Sequence, residues 1–296
     1  MINMKILIFG SKGWIGSQFI NYLNHINNIY DNEPITIIET NVRADNELLV
    51  NDIVLAHTPS HIISFIGRTS GDGINSIDYL EQDGKLSENL KDNLYAPVVL
   101  AYIANKYKIH YTYIGTGCIF NQDCPQNRCY LDTDNPDFFG SSYSIVKGFT
   151  DRIMRLNQNT VLNLRIRMPI SNSHHPRNFI TKIINYPNIC SMSNSMTVLP
   201  TMFPVIIYLM KNKINGSFNL VNNGLISHNE ILQMYKKIIN PLLSWNNISI
   251  EEQDKLLLSK RSNCFLSSKK IHDIYPYPIP NINDAVLQCL EEIKNN

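Results

Sequence analysis

The sequence is short of charge excess, of long apolar runs, of paired cysteines and of glycine, and most of these shortages remove a class of protein. Across 296 residues, 26 Lys and Arg stand against 25 Asp and Glu. With neither sign in excess, composition gives no electrostatic support to a nucleic-acid partner or an anionic membrane surface. No apolar run approaches the roughly 20 residues that a spanning helix needs. Met1-Ile2-Asn3-Met4-Lys5 leads straight into a strand-like run, without the charged, apolar and cleavage regions of a signal peptide. A cytoplasmic protein is expected. The cysteines (Cys118, Cys124, Cys129, Cys190, Cys264, Cys289) are scattered. Cys124 and Cys129 lie closest, but no second C-x-x-C or nearby Cys/His set completes a zinc site. Free thiols and no metal are expected. Ala and Gly are sparse while Asn and Ile are heavily used, which suits an AT-rich genome. There is no internal repeat and no disordered tract.

What is present alternates strands with helices. Lys5-Ile6-Leu7-Ile8-Phe9 is an apolar run of strand length, of the kind a parallel sheet covers on both faces. Gly10-Ser11-Lys12-Gly13-Trp14-Ile15-Gly16 follows, then helical spacing through Phe19, Ile20 and Leu23. Strand, glycine turn, helix is the setting of a dinucleotide fingerprint, spaced here as G-x-x-G-x-x-G. Its glycines allow a tight turn, let backbone N–H groups approach the pyrophosphate, and bring the helix N-terminus close to the strand. A second strand, 34–38, ends in Glu39, placed as an acid for a ribose 2′-OH would be; Lys12 and Arg43 are cations suited instead to a 2′-phosphate. A third strand over 61–66 ends at Gly67. Residues 68–85 form a polar loop that could lie over a ligand. The spacing then predicts one helix over 86–108, with Asn93 on its polar side.

Ile109–Ile114 is the next strand, and it runs into Gly115-Thr116-Gly117-Cys118-Ile119-Phe120. Ser141 or Ser142 caps a helix bearing Tyr143 and Lys147 at i and i+4. A strand over 161–168 stops at Pro169. An irregular stretch follows, 170–203, with a short helix over 178–184. A helix over 203–210, a returning strand over 216–221 and a helical 229–296, broken by prolines at 276–280, complete the chain. This predicts an α/β fold, a Rossmann-like doubly wound parallel sheet with a smaller C-terminal substrate-binding cap. The dinucleotide-binding domain is 1–168, rejoined by 204–226; the cap is 169–203 and 227–296.

Alternate side chains of an extended chain share a face, so Thr116 and Cys118 are expected side by side at a strand end. Reducing a ketone needs hydride on carbon and a proton on the forming alkoxide. A tyrosine, with an ordinary pKa near ~10, becomes an acid–base group when an ammonium stands nearby. Tyr143, Lys147 and a carbonyl-orienting Thr116 supply that set, and hydride is the chemistry of a nicotinamide.

Gly10/Gly13/Gly16, Thr116 and Tyr143-x-x-x-Lys147 resemble the extended short-chain dehydrogenase/reductases in type, order and spacing. Longer runs resemble one family within them, the 3,5-epimerase/4-reductases of UDP-rhamnose synthesis. These are Gly13-Trp14-Ile15-Gly16, Thr116-Gly117-Cys118-Ile119-Phe120, Arg165-Ile166-Arg167-Met168-Pro169-Ile170-Ser171, Pro176-Arg177-Asn178-Phe179-Ile180-Thr181-Lys182, Asn194-Ser195-Met196-Thr197, Ser227-His228-Asn229-Glu230-Ile231-Leu232 and Arg261-Ser262-Asn263. Composition suits a giant-virus member, for which the compartment would be the host cytoplasm.

The resemblance implies conversion of UDP-4-keto-6-deoxy-D-glucose to UDP-L-rhamnose with NADPH or NADH, in a homodimer, downstream of a UDP-glucose 4,6-dehydratase. It implies Cys118 and Lys182 as the epimerising pair, with His174 and His175 as nearby rivals to Lys182. It further implies Asn178 and Arg261 at the substrate, and Gly10, Lys12, Gly13, Trp14, Ile15, Gly16, Arg43, Gly67, Tyr143, Lys147 and Met168 at the cofactor. Ser64-Phe65-Ile66-Gly67 departs from the N-A-A-G-type strand end of plant members. Two other readings stay open: a 4-keto-sugar reductase without epimerisation, and a non-catalytic NAD(P)-binding regulatory subunit.

Overall fold

The computed structural model describes residues 4–29, 34–121 and 129–295, so Cys124 of the cysteine pair lies outside the described residues. The first half alternates β1 (Lys5–Phe9), α1 (Trp14–Ile29), β2 (Thr36–Glu39), α2 (Glu47–His57), β3 (His61–Ser64), α3 (Leu86–Leu90), α4 (Ala96–Tyr107) and β4 (His110–Thr116). Then come α5 (Ser142–Leu156), β5 (Val161–Ile166), α6 (Phe179–Ile183), β6 (Asn188–Ile189), α7 (Leu199–Lys211) and β7 (Gly216–Asn219). The chain finishes with α8 (His228–Ile238), β8 (Asn246–Asn247), α9 (Ile250–Leu256), α10 (Lys269–Ile274) and α11 (Ile282–Asn295). Six strands form one parallel sheet in the order β2-β1-β3-β4-β5-β7, with β6 and β8 paired apart from it.

The near-continuous apolar strands are explained by cover on both faces. One face packs Ile6, Ile8 and Leu164 under α1 and α7; the other packs Leu7, Phe9 and Tyr111 under α2 and α4. A third core, built on Ile170, Ile180, Ile231 and Val286, belongs to the cap. Strand order reverses on either side of β1, which opens a crevice at the carboxyl ends of β1 and β3. None of the described helices is long and apolar enough to cross a membrane.

Three stretches differ from their sequence reading. The helix expected over 86–108 is interrupted by a π turn, Lys91–Tyr95. Pro97 sits at the start of α4 without an N–H, so the Asn93 carbonyl loses its helical donor. The Thr150 hydroxyl of α5 takes that carbonyl at 2.6 Å. The tail is less helical than expected: 257–268 runs irregularly between α9 and α10 and carries Leu266 beside Tyr130. Finally, α10 leaves the cap, because Ile271 packs with the sheet core and Lys270 Nζ donates to the Ser217 carbonyl at 2.8 Å.

At the sheet's far end, the His61 and His110 rings lie 5.2 Å apart, tilted by 58°, and bond the carbonyls of Met210 and Ile214. Burial, then repulsion from His110 and Lys213 against the Met210 hydrogen bond, lowers His61 to about 4. Burial lowers His110 too. An unfolded histidine takes its proton near ~6.5, so this contribution to stability is complete above that pH and is lost as pH falls toward about 4. For His61 alone the loss is about 2 kcal/mol at pH 5. Urea midpoints are expected to drop between pH 7 and pH 4.5, with His61→Gln flattening the drop. A midpoint that holds or rises over that range would contradict this.

Candidate active site

The crevice is a cleft of about 360 Å³ whose walls include Gly10, Lys12, Gly13, Arg43, Gly67, Arg68, Asp92 and Arg177. Its floor is the turn between β1 and α1. Gly10 takes φ +76°, and a Cβ on Gly16 would stand 2.2 Å from the Gly10 carbonyl oxygen. The helix N-terminus therefore closes onto the strand end only with glycine there. Backbone N–H groups, the helix dipole and the cations on the walls suit the phosphates of a dinucleotide.

Arg43 lines the cleft, held by Asp45 at 2.8 Å and Asp92 at 2.9 Å. Glu39 is exposed and lies outside the residues lining the cleft, so the acid expected at the ribose is not on the wall. Arg68, whose Nε bonds Asp92 at 2.6 Å, and Arg177, reaching in from the cap, are wall cations that sequence reasoning did not single out. Ile66 lines the cleft, whereas Phe65 turns onto Phe19 in the core, so the bulky strand end is accommodated.

Not every expected cofactor residue stands on that wall. Trp14 stacks on His175 of the cap, rings 5.4 Å apart and 11° from parallel. Ile15 packs into the sheet core. Met168 adopts φ +40°, a backbone that side chains rarely take, and packs on the cap core.

The second part of the site is the end of β4. The strand stops at Thr116, and Cys118 lies in the following turn. Strand alternation therefore does not pair the two side chains. Instead the Thr116 hydroxyl accepts the Cys118 N–H at 3.1 Å, and Ser144 Oγ donates to the Cys118 carbonyl at 2.7 Å. Gly117 makes room for this turn, since a Cβ there would meet Leu266 Cδ1 at 2.5 Å.

Ser141 caps α5 by accepting the Ser144 N–H at 3.0 Å. Tyr143, on the first turn, packs with Cys118, Tyr79 and Leu80. A relay ties the cleft to this turn: the Arg68 N–H donates to Asn93 Oδ1 (3.0 Å), Asn93 Nδ2 to Asn89 Oδ1 (2.9 Å), and Asn89 Nδ2 to Ser142 Oγ (2.8 Å).

Burial pushes the Tyr143 phenol up, as does the nearby Cys118, against a hydrogen bond with Thr116. In this state Tyr143 is a protonated donor. Burial lowers Lys147 to about 7, opposed by Asp151 and Cys118. The lysine's hydrogen bond goes to the Tyr113 hydroxyl on β4 rather than to Tyr143, and its Nζ lies 4.5 Å over the Tyr113 ring. The i, i+4 spacing on its own did not reveal this partner.

The cap adds a cationic cluster. Lys182 on α6 is lowered by burial, then by the fields of Arg177 and Arg261. Arg261 Nη2 pairs with Asp78 at 2.6 Å, and that carboxylate is held at about 2, burial opposing the Arg261 and Ser76 hydrogen bonds. The 3₁₀ turn Ile77–Glu81 thus joins the two groups: Asp78 faces Arg261, Tyr79 and Leu80 face Tyr143, and Glu81 accepts the Ser142 N–H at 2.7 Å. The polar loop expected over 68–85 supplies this bridge. Asn178 is not a free substrate ligand. Its Oδ1 accepts the N–H groups of Ser171 and Ile180, and its Nδ2 donates to the Ser171 and Ser173 carbonyls, so it caps α6 and positions Lys182. His174 is exposed and His175 is committed to Trp14. The described residues hold no His/Cys/Asp/Glu cluster suited to a metal.

A glycine-floored dinucleotide cleft beside a Thr/Tyr/Lys set at a strand end defines a Rossmann-fold reductase of the short-chain type. The comparisons narrow the class. No family model matches the chain. It is 48% identical over 294 residues to protein L780 of Acanthamoeba polyphaga mimivirus, covering 98% of this chain and 99% of that one. The L780 crystal structure, described as a UDP-rhamnose synthase, superposes with a TM-score of 0.93 at 47% identity over 99% of this chain and 100% of that one. A bifunctional dTDP-4-dehydrorhamnose 3,5-epimerase/reductase of Arabidopsis thaliana is 33% identical over 98% of this chain and 93% of its own length. A trifunctional Arabidopsis enzyme that adds a UDP-glucose 4,6-dehydratase is 32% identical over 98% of this chain, which spans 42% of it. The chain belongs to the epimerase/reductase family of rhamnose-nucleotide synthesis.

Proposed function

We propose that the protein converts UDP-4-keto-6-deoxy-D-glucose to UDP-L-rhamnose, epimerising C3 and C5 and then reducing C4 with NADPH. The observation that supports this is that the Thr116/Cys118/Tyr143 cluster is tied to the dinucleotide cleft through Asn93, Asn89 and Ser142, and to Arg261 through the Ile77–Glu81 turn. Both C3 and C5 are α to the C4 ketone, so loss of either proton gives an enolate whose charge rests on the ketone oxygen. Thr116 and Tyr143 donate hydrogen bonds to that oxygen. Cys118 and Lys182 move protons on opposite faces of the sugar, and Arg261 holds the diphosphate. Reduction comes last, because it removes the ketone that makes those protons acidic. Bound nicotinamide supplies the hydride, and Tyr143 gives its proton to the forming alkoxide.

Incubating the protein with the 4-keto sugar nucleotide and NADPH is expected to give one UDP-L-rhamnose per NADPH oxidised. A D-configured 6-deoxy product would favour the reductase-only reading.

NADPH preference rests on Arg43 standing in the cleft where Glu39 does not. Arg43→Ala is expected to raise the KM for NADPH about tenfold, as loss of one phosphate ion pair implies, and to leave NADH nearly unchanged. An equal rise for both cofactors would contradict the assignment.

A homodimer is supported by the apolar residues that α4, α5 and the π turn leave exposed, Tyr95, Tyr102, Ile145 and Phe149. Sedimentation should show a dimer that Phe149→Glu converts to monomer; a monomeric wild type would refute it. The substrate calls for a partner 4,6-dehydratase, and free thiols with NADPH chemistry suit the cytoplasm.

A further inference from the structure

Arg167 is a buried cation without an acid. It is 1% exposed, and its guanidinium sits where the chain leaves β5. Nη1 donates to the Gly117 carbonyl at 3.3 Å, to Ser262 Oγ at 3.0 Å and to Cys118 Sγ at 3.5 Å. Nη2 donates to Asn194 Oδ1 at 2.6 Å and to the Ser262 carbonyl at 2.5 Å, while Nε has no partner. Among the described residues, no carboxylate lies within ion-pair distance of it. Arg165, two residues earlier and equally buried, shows the usual solution: Nε and Nη2 grip both oxygens of Asp151. A buried charge left without a counter-charge is costly.

Cys264 and His228 lie within the field of Arg167, and among the described residues the one ionisable side chain to which it is hydrogen-bonded is Cys118. Other groups facing the thiol are Tyr143, Cys264 and Lys147. Burial raises Tyr143 and pushes Cys264 up to about 11, so both stay neutral. Lys147 is held down at about 7 and gives its hydrogen bond to Tyr113, with Asp151 beside it; Asp137 lies beyond Cys264. A guanidinium, by contrast, stays charged throughout the working pH range.

We infer that Arg167 is a positioning residue whose Nη1 holds the Cys118 sulfur as a thiolate, making Cys118 the base and Lys182 the acid of epimerisation; this rests on the epimerase reading above. The thiolate takes the C–H proton, the bond's electrons pass to the enolate oxygen held by Thr116 and Tyr143, and the Lys182 ammonium returns a proton to the opposite face. Solvent then restores the thiolate and the ammonium.

The test is alkylation of Cys118 by iodoacetamide between pH 5.5 and 9, read by mass spectrometry of its peptide, with NADPH binding as the check on folding. Cys118 is partly exposed and open to the reagent. Arg167→Met is expected to slow alkylation at pH 6.5 at least about tenfold and to move the profile's midpoint upward. Arg167→Lys should restore part of the rate. Asn194→Asp gives the guanidinium a rival carboxylate and should slow alkylation severalfold, so the inference stays testable if Arg167→Met does not fold. In each variant, solvent exchange into substrate should fall in kcat with KM little changed. A wild-type alkylation profile in any NADPH-binding Arg167→Met or Asn194→Asp protein overturns the inference. If the profiles shift as expected but wild-type protein exchanges no substrate protons, the epimerase reading fails and the Arg167–Cys118 pairing stands.

Discussion

Cys118→Ser is expected to suppress exchange of substrate C3 and C5 protons with solvent by about 10²-fold or more, the usual worth of one positioned proton-transfer group. A serine hydroxyl fills the same space but does not ionise in this pH range, so the turn should survive while the base is lost. The backbone bonds that shape the turn, Cys118 N–H to Thr116 and Ser144 to the Cys118 carbonyl, do not involve the sulfur. Reduction of an already epimerised 4-keto-L sugar should therefore persist within about tenfold. Proton NMR in D₂O measures the first rate and NADPH absorbance the second. Exchange within threefold of wild type would remove Cys118 from the mechanism.

Tyr143→Phe is expected to do the reverse, cutting reduction by about 10²–10⁴-fold and exchange by less. In the proposed mechanism the phenol gives its proton to the alkoxide, and its burial favours the protonated form that this needs. In the proposed epimerisation Thr116 also holds the enolate oxygen, so loss of the phenol would leave one donor in place. Equal losses in both activities, in both variants, would mean that the two half-reactions do not divide between these residues.

The dinucleotide half of the site was legible because its constraints are local. A strand running into Gly10, a helix after the glycine turn and a serine cap before Tyr143 are written in consecutive residues, and the structure has each, with the helix opening earlier than read, at Trp14. Legibility failed where distant segments settle the matter. The π turn follows from Pro97 together with a hydroxyl on another helix. Cys118 meets Thr116 through a turn that 257–268 packs beneath, a stretch whose apolar residues had read as helix. Asn178, read as a ligand, spends all four hydrogen bonds on its own loop. Arg167 was readable in part: two arginines in Val161–Arg167 interrupt an apolar strand, and buried charge demands a partner. Which partner each would find depended on Asp151 and Cys118, remote in sequence from the strand.

The central claim is that one site epimerises before it reduces. The direct measurement is NMR of UDP-4-keto-6-deoxy-D-glucose with the protein in D₂O, first without NADPH and then with it. Deuterium should enter C3 and C5 before any reductant is present, and L-rhamnose should form only after NADPH is added. NADPH consumption with no deuterium at either carbon would contradict the account and leave a simple 4-keto-sugar reductase.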